Sequence, residues 1–516
     1  MRDAVGDANK AAAKQAIVRL IIGAGLALGA SAAIAQRWTF EPSVEAQATL
    51  TNNANYQTGA ERESDFVFNL LPAIDFSRRG PRLRVDGAAS LNVIGYADGT
   101  QTSRILPQAN VLANLEAIDR VFFIEAALQA NQEVLNPFLP QSETASTFNK
   151  YTYAQGRIAP YFQGNFGSDW RYLVRSDNSY TYTTQAESVL DDAYYGRHVA
   201  ELVRTATPLG GGLRVQSDIT RFANQAADDQ HIEIALATLN YAFTPQFTAG
   251  LRGGYERTNY TADDASGGVY GVDIAWSLGP RTRLAGFLES RFFGPSYQLD
   301  FSNRMRRFAT NLSFSRSVTT YPQLLLQLPS TGNVSGLLNA ILTARFPDPL
   351  ERSRQVQDLI DRQALPESLA GGVNIFSQSA NVVTSASANF ALIGVRNTLA
   401  LNLYYLKTVL LPDAAIPATF ITFNDSIQKG VVLSLSHRLS PVISLNATAS
   451  RRETRGIDRS LGNVTDQNVL EAQVNRQLSP RTQAFVGARY QQQDSSSNIV
   501  RDSNEAAVFV GLLHRL

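Results

Sequence analysis

One short text keeps returning in this chain: a proline set between two runs in which apolar and polar residues alternate. It occurs as Thr207-Pro208-Leu209-Gly210, Phe243-Thr244-Pro245, Leu278-Gly279-Pro280, Leu439-Ser440-Pro441 and Leu478-Ser479-Pro480. The first three prolines stand 37 and 35 residues apart, and the last two 39. Proline suits a tight turn because its φ is preset and it has no N–H to offer a ladder. A pair of strands of about ten residues or more, one tight turn and one longer loop fill such a period, and that is the unit of an up-and-down barrel.

The alternation itself is explicit. Leu83, Val85, Gly87, Ala89, Leu91 and Val93 share one parity, against Arg82, Arg84, Asp86, Ser90 and Asn92. Trp170, Tyr172 and Val174 oppose Arg171, Arg175 and Asp177; Leu284, Gly286, Leu288 and Phe292 oppose Arg283, Glu289 and Arg291. Val431, Leu433, Leu435 and Leu439 oppose Ser434, Ser436 and Arg438. Period two puts each set on one side of a sheet. The runs persist for roughly ten to fourteen residues, whereas strands of soluble proteins average five or six. The tight turns also alternate with long polar stretches, at 223–230, 259–268, 451–468 and 491–504. Short turns on one rim and long loops on the other predict a transmembrane barrel, apolar set to lipid and polar set to an aqueous lumen. A propeller would pack four short strands into each repeat.

Further turns at Arg79-Gly80-Pro81, Ile118-Asp119, Gly167-Ser168, near Val318-Thr319 and at Gly394-Val395-Arg396 bring the short turns to ten. With both termini on the same rim, ten turns predict about 22 strands, within a range of 18 to 24. Tyr180, Tyr182, Tyr241, Phe243, Tyr404 and Tyr405 lie near strand ends, where aromatic girdles meet the bilayer surface. The chain ends in the same alternation, Val508, Val510, Leu512, His514, Leu516, as a closing strand should. Gly511, Leu512, His514 and Leu516 resemble the terminal signal read by the barrel-assembly machinery, with Leu516 and His514 where aromatics usually stand.

The N-terminus predicts export. Arg2, Lys10, Lys14 and Arg19 precede an apolar stretch at 20–30 and the small-residue site Ala33-Ile34-Ala35. That is a signal peptide, cut after Ala35, and its apolar run is too short for a membrane span. Residues 1–35 are thus read as signal and 36–516 as barrel. The remaining 481 residues carry a formal net charge of −1, without the basic face of a nucleic-acid binder. There is no cysteine, hence no disulfide framework and no thiolate metal site. No segment after residue 35 holds 18 uninterrupted apolar residues, so membrane crossing by helices is excluded.

One stretch, 322–372, departs from period two. Leu337, Leu338, Ile341 and Leu342, then Val356, Leu359 and Ile360, fall at helical spacing. Asp348, Pro349 and Glu351 read as N-cap, N1 proline and capping-box acid. Two short helices are predicted, at 334–345 and 349–363. A barrel this wide is usually plugged, so the insertion is a plug, a lid or constriction, or else a helical loop outside the pore.

Chemistry motifs are scarce. His198, His231, His437 and His514 are far apart, and there is no nucleophile elbow or P-loop. The acid pairs Asp191-Asp192, Asp228-Asp229 and Asp263-Asp264 read as solvated loop carboxylates. No catalytic residue, metal or cofactor is expected. The charge choice is more telling: of 46 basic residues only five are lysine, and two of those lie in the signal. Arginines stand beside acids at lumen parity: Arg82, Arg84 and Asp86; Arg171, Arg175 and Asp177; Arg214 and Asp218; Arg283, Glu289 and Arg291. Arg makes bidentate ion pairs and stacks on flat surfaces, sugar faces included. Such a wall gives a hydrated path with little net charge selectivity, or simply braces the barrel.

Several motifs in order resemble the PEP-CTERM system-associated outer-membrane proteins: Arg37-Trp38-Thr39-Phe40-Glu41-Pro42-Ser43-Val44, Leu70-Leu71-Pro72-Ala73-Ile74, Ser77-Arg78-Arg79-Gly80, Phe314-Ser315-Arg316-Ser317-Val318, Pro347-Asp348-Pro349-Leu350-Glu351-Arg352 and Gly394-Val395-Arg396-Asn397-Thr398-Leu399. The resemblance implies a Gram-negative envelope role beside exosortase sorting and exopolysaccharide production. Its partners would be outer-membrane lipid and lipopolysaccharide, the assembly machinery, a polysaccharide and envelope export proteins. Three functions follow as expectations: an exit channel for exopolysaccharide, a general diffusion porin, or a closed structural or surface-display barrel.

Overall fold

The computed structural model describes residues 38–134, 136–139, 149–184, 192–223, 229–261, 264–327, 334–343, 345–346, 352, 355–357, 359–360, 365–366, 369, 371–372, 379–411, 425–457, 462–496 and 502–516. The predicted signal peptide and its cleavage site lie outside them. The chain runs up and down through β1 (Trp38–Thr51), β2 (Asp65–Arg79), β3 (Leu83–Tyr96), β4 (Arg104–Ile118), β5 (Phe122–Val134) and β6 (Lys150–Phe166). It continues through β7 (Trp170–Thr184), β8 (Ala193–Arg204), β9 (Leu209–Phe222), β10 (Gln230–Thr244) and β11 (Phe247–Thr258). Then come β12 (Ala265–Gly279), β13 (Thr282–Arg291), β14 (Gly294–Arg304) and β15 (Phe308–Thr319). After an insertion follow β16 (Asn381–Ile393), β17 (Asn397–Leu410), β18 (Ser426–Ser440), β19 (Ile443–Gly456), β20 (Val464–Ser479), β21 (Thr482–Ser495) and β22 (Ser503–Arg515).

Each strand pairs antiparallel with the next, and β22 returns to β1 in a register running from Ser43↔Arg515 to Thr51↔Ala507. The result is a closed barrel of 22 strands, as the turn count predicts. Closure leaves no sheet edge, the condition for putting strands into hydrocarbon. The strands are 10 to 17 residues long.

Four of the proline turns share one construction. The ladder slips by one residue just before Pro245, Pro280, Pro441 and Pro480, so that Thr244↔Phe247, Gly279↔Thr282, Ser440↔Ile443 and Ser479↔Thr482 close two-residue loops. Where the residue before proline has a hydroxyl, that oxygen accepts a turn amide: Gln246 N to Thr244 at 3.2 Å, Val442 N to Ser440 at 3.3 Å, Arg481 N to Ser479 at 3.2 Å. The side chain thus replaces the backbone bond that the proline ring removes.

One turn is not where the sequence puts it. Val318 and Thr319 are paired strand residues at the end of β15, and the short turn lies at Met305-Arg306-Arg307, closed by Met305 N to Phe308 O at 2.6 Å. That turn has neither proline nor glycine, so the signature used to find turns is blind to it. The polar stretches read as loops are also shorter than expected: β19 runs to Gly456 and β20 begins at Val464. Strand pairing continues past the level where one face must be apolar, so the alternation fades before the ladder does.

Burial is inverted relative to a soluble protein. Leu50, Ile105, Leu251 and Val508 are 58–65% exposed, whereas Thr49, Thr51, Gln491 and Gln493 of the opposite parity are at most 2% exposed. The apolar parity therefore faces lipid around the barrel. Tyr180, Tyr241 and Phe243 join this outer face as expected, but Tyr404 is only 9% exposed and points into the lumen. It neighbours Tyr405, and adjacent strand residues cannot share a face. Leu433→Arg, on the outward face of β18, is expected to destabilise by ~2–4 kcal/mol, the cost of a cation near the bilayer midplane. Gln298→Arg on the lumen side should cost almost nothing; urea titration of tryptophan fluorescence in lipid vesicles separates the two.

The insertion between β15 and β16 holds α1 (Tyr321–Gln327) and α2 (Val334–Leu342). The first predicted helix starts as expected at Val334 and ends three residues early; residues 352, 355–357 and 359–360 of the second are helical. Asp348, Pro349 and Glu351 lie outside the described residues. The unpredicted α1 follows a signal that was legible: Thr320 and Gln323 are the two ends of a capping box, with Thr320 N donating to Gln323 Oε1 at 3.1 Å.

Candidate functional site

Registers between strands decide which lumen-facing charges meet. Asp177 on β7 accepts from Arg157 Nε of β6 at 2.9 Å and from Arg175 Nε of its own strand at 2.8 Å. Both arginines also reach Glu125 of β5, Arg157 at 3.4 Å. Next around the wall, Arg197 of β8 pairs with Asp218 of β9 at 3.1 Å. Beyond β10, Arg252 of β11 pairs with Glu289 of β13 at 2.8 Å, and Arg291 with Glu256 at 2.6 Å. Glu256 further accepts from the Phe292 backbone at 2.6 Å. The guanidinium of Arg175 lies 5.0 Å from the centre of the Tyr161 ring, and that of Arg252 4.4 Å from that of Phe287. Five arginines thus face five carboxylates in a sector from β5 to β13. These ten paired groups are closely spaced and carry no net charge between them.

The insertion is inside the barrel and docks on this sector. Gln323 of α1 donates to Tyr195 Oη at 3.1 Å and to Asp218 Oδ2 at 3.3 Å, the same carboxylate that holds Arg197. Gln155 donates to the Pro322 carbonyl at 3.3 Å, and the Thr220 and Thr320 hydroxyls are 3.2 Å apart. Tyr321 stacks on Phe222, and Leu324 and Leu325 pack among Tyr151, Tyr153 and Ala193. All these wall residues have lumen parity on β6, β8 and β9, far around the barrel from β15 where the insertion starts. At the other end, Leu337 and Ile341 of α2 contact Ala309 and Ala391, lumen-facing residues beside the short turns. Val356, Ile360, Leu365 and Leu369 then pack on Ala400, Tyr404 and Val432 of β17 and β18. The segment therefore enters from the long-loop rim, reaches the short-turn rim and climbs back. The described residues of the insertion thus pack on the inside of the wall, in the lumen.

A second segment crosses the mouth. Phe138, in the β5–β6 connection, is 2% exposed, and its carbonyl accepts from Thr465 at 3.2 Å and Gln493 at 3.4 Å on β20 and β21. Beneath α2 a cavity of about 730 Å³ remains, lined by Arg281, Arg283, Asn311, Gly336, Leu337 and Asn389 among others.

The sequence-predicted charges divide. Arg175, Asp177, Asp218, Glu289 and Arg291 belong to the ten paired groups. Arg84 and Asp86 sit on the lumen face of β3 near the short-turn rim, where Asp86 reaches Arg79 at 3.7 Å. Arg82 is in the turn and not on the wall; its carbonyl takes the Glu116 amide at 2.7 Å. Arg171 lines a separate cleft of about 460 Å³, Arg214 bonds Gln216 at 2.7 Å, and Arg283 borders the cavity under α2. Sequence reasoning missed Glu125, Arg157, Arg197, Arg252 and Glu256. All five have lumen parity, so extending the alternation count to every strand would have found them. The loop acids Asp229 and Asp264 pair with Arg221 at 3.0 Å and Arg257 at 3.5 Å. At the C-terminus, Leu512 and Leu516 face outward, His514 Nδ1 lies 3.0 Å from the Thr482 hydroxyl, and Gly511 leaves room for the Phe485 ring.

No protein-family model matches the chain, and no curated protein does. Among solved structures, the chain is similar in fold to the siderophore receptor PirA from Acinetobacter baumannii, at 9% identity over 92% of this chain and 80% of that one, with a TM-score of 0.47. It is also similar to the FrpB iron transporter from Neisseria meningitidis (F3-3 variant), at 10% identity, 93% and 82% coverage and TM-score 0.47. The outer membrane protein opdK from Pseudomonas aeruginosa aligns at 8% identity, 93% and 99% coverage and TM-score 0.33. Identities this low transfer no activity. What stands on the chain's own strand pairing and burial is a closed 22-strand barrel with its apolar side chains turned outward.

Proposed function

We infer that this protein is a gated exit channel of the Gram-negative outer membrane, shut at rest by its own 320–380 segment, for a weakly charged polysaccharide. The observation that carries this reading is the insertion seated through the lumen on paired Arg and acid groups that carry no net charge between them. Neutrality favours neither cation nor anion, while guanidinium and carboxylate groups offer sugar hydroxyls donors and acceptors at fixed positions. Aromatic faces beside those arginines suit the apolar side of a pyranose ring. The resemblance to the PEP-CTERM-associated proteins supplies the substrate class, exopolysaccharide, and the envelope export machinery as partner. On this reading residues 1–35 direct export, the terminal residues 511–516 recruit the assembly machinery, and no step is catalytic.

A diffusion porin would pass small sugars without a trigger. Liposomes carrying the purified barrel are therefore expected to stay impermeable to monosaccharides in swelling assays. Cells lacking the protein should retain polysaccharide in the periplasm while synthesis continues. Polymer reaching the medium at the normal rate in such cells would overturn the assignment.

A further inference from the structure

The lipid-facing side carries a site the lumen does not explain. After residue 35 the chain has only three lysines, and two of them, Lys407 and Lys429, lie on adjacent strands of the outer face. Arg451 and Arg455 of β19 extend the group, with Lys429 directly opposite Glu453. These residues stand eight to twelve positions above the short turns, beside or just above Tyr405. At ~3.3 Å per residue and a tilt of about 40°, that is roughly 20–30 Å, where the apolar band ends and lipid headgroups begin. Two acids share the patch: Glu453 pairs with Lys429 at 3.1 Å and Arg455 at 3.6 Å, and Asp466 with Arg451 at 3.5 Å. Four cations against two anions leave an excess of positive charge, and Lys407 has no ion pair among the described residues.

Directly below, the barrel wall is hollowed. A groove of about 410 Å³ opens between Val431, Leu433, Ala449, Leu470 and Tyr490, with Arg451 at its upper end. Leu470 and Tyr490 also border a second groove of about 590 Å³ over Ala472, Ala488, Ala506 and Val508, which runs sideways across β22 to Leu50 and Asn52 at the long-loop end of β1. The hollows exist because alanines stand where neighbouring strands carry leucine or valine. Two adjoining, largely apolar grooves, one beneath the cations and one beside them, match a lipid with several acyl chains and a phosphorylated headgroup.

We propose that the outer face of β17–β22 is a specific binding site for a multiply acylated, phosphorylated glycolipid of the outer leaflet, its phosphates held by Lys407, Lys429, Arg451 and Arg455 and its chains by the two grooves. Phosphate has two oxygens to spare for Lys429 and Arg455, so it competes with Glu453 for both.

The test is native mass spectrometry of the full-length barrel in detergent with a diphosphorylated acyl-glucosamine lipid and its dephosphorylated form. The phosphorylated lipid should be retained on the order of tenfold better. Lys407→Gln combined with Lys429→Gln, Arg451→Gln and Arg455→Gln should abolish the preference. Ala449→Trp, which fills a groove and leaves every charge, should also weaken retention; Ala472→Leu does so with less bulk if the tryptophan variant fails to fold. Heat-modifiable migration in gels checks folding of each. Retention independent of phosphate, a quadruple variant that binds like wild type, groove-filling variants that bind like wild type, or displacement of the lipid by millimolar inorganic phosphate would each overturn the proposal.

Discussion

Replacing residues 320–380 by an Asn-Gly turn raises single-channel conductance in planar bilayers by on the order of tenfold, because a barrel of this strand number has a lumen wide enough for an aqueous path once emptied. The hairpin can close without strain, since Thr319 and Asn381 are already partners at the ends of β15 and β16. Gln323→Ala is the milder counterpart. It removes the bonds to Tyr195 and Asp218 and the cap on Thr320 N but keeps the apolar contacts of Leu324, Leu325 and α2, so it should give brief openings at unchanged unit conductance. If the shortened barrel conducts no better than wild type, the insertion is not what closes the pore, and the gated-channel reading fails with it.

Glu256→Ala is expected to be the most damaging single substitution in the wall, at ~3–5 kcal/mol, because it strands a partner charge in a water-poor site. Glu256 is 1% exposed and holds both Arg291 and the Phe292 amide. Its loss leaves Arg291 only the longer 3.9 Å approach to Glu289, which is already committed to Arg252. Arg291→Met in the same background should recover much of the loss, since it removes the orphaned cation and keeps the volume. Urea-induced unfolding in lipid vesicles measures both. A single variant as stable as wild type would mean that this corner of the lumen is well hydrated.

The same positions show why some of the site was legible and some was not. Arg175 and Asp177 are two residues apart on one strand, so their common face and their pairing follow from parity alone. Glu125 meets Arg175 across 50 residues of chain, and Arg291 meets Glu256 across 35. Parity places each of these in the lumen, but height along the wall depends on the register of every intervening hairpin. The Met305-Arg306-Arg307 turn makes the point in reverse. Missing it shifts where a strand pair begins, yet leaves the strand count intact, because another break was read in its place.

Taken alone, the amino-acid order determined the class: a barrel of about 22 strands, its apolar stripe outward, its arginine-rich stripe inward, and one helical interruption. Those properties are local, since period two and turn chemistry act over a few residues. Tertiary structure alone decided that the interruption lies inside the barrel. Gln323 meets Asp218 across 105 residues, and Leu337 meets Ala309 at the opposite end of the lumen. An amphipathic helix is equally content on either side of a rim; only the enclosed wall, with complementary groups at two heights, gives it a reason to enter.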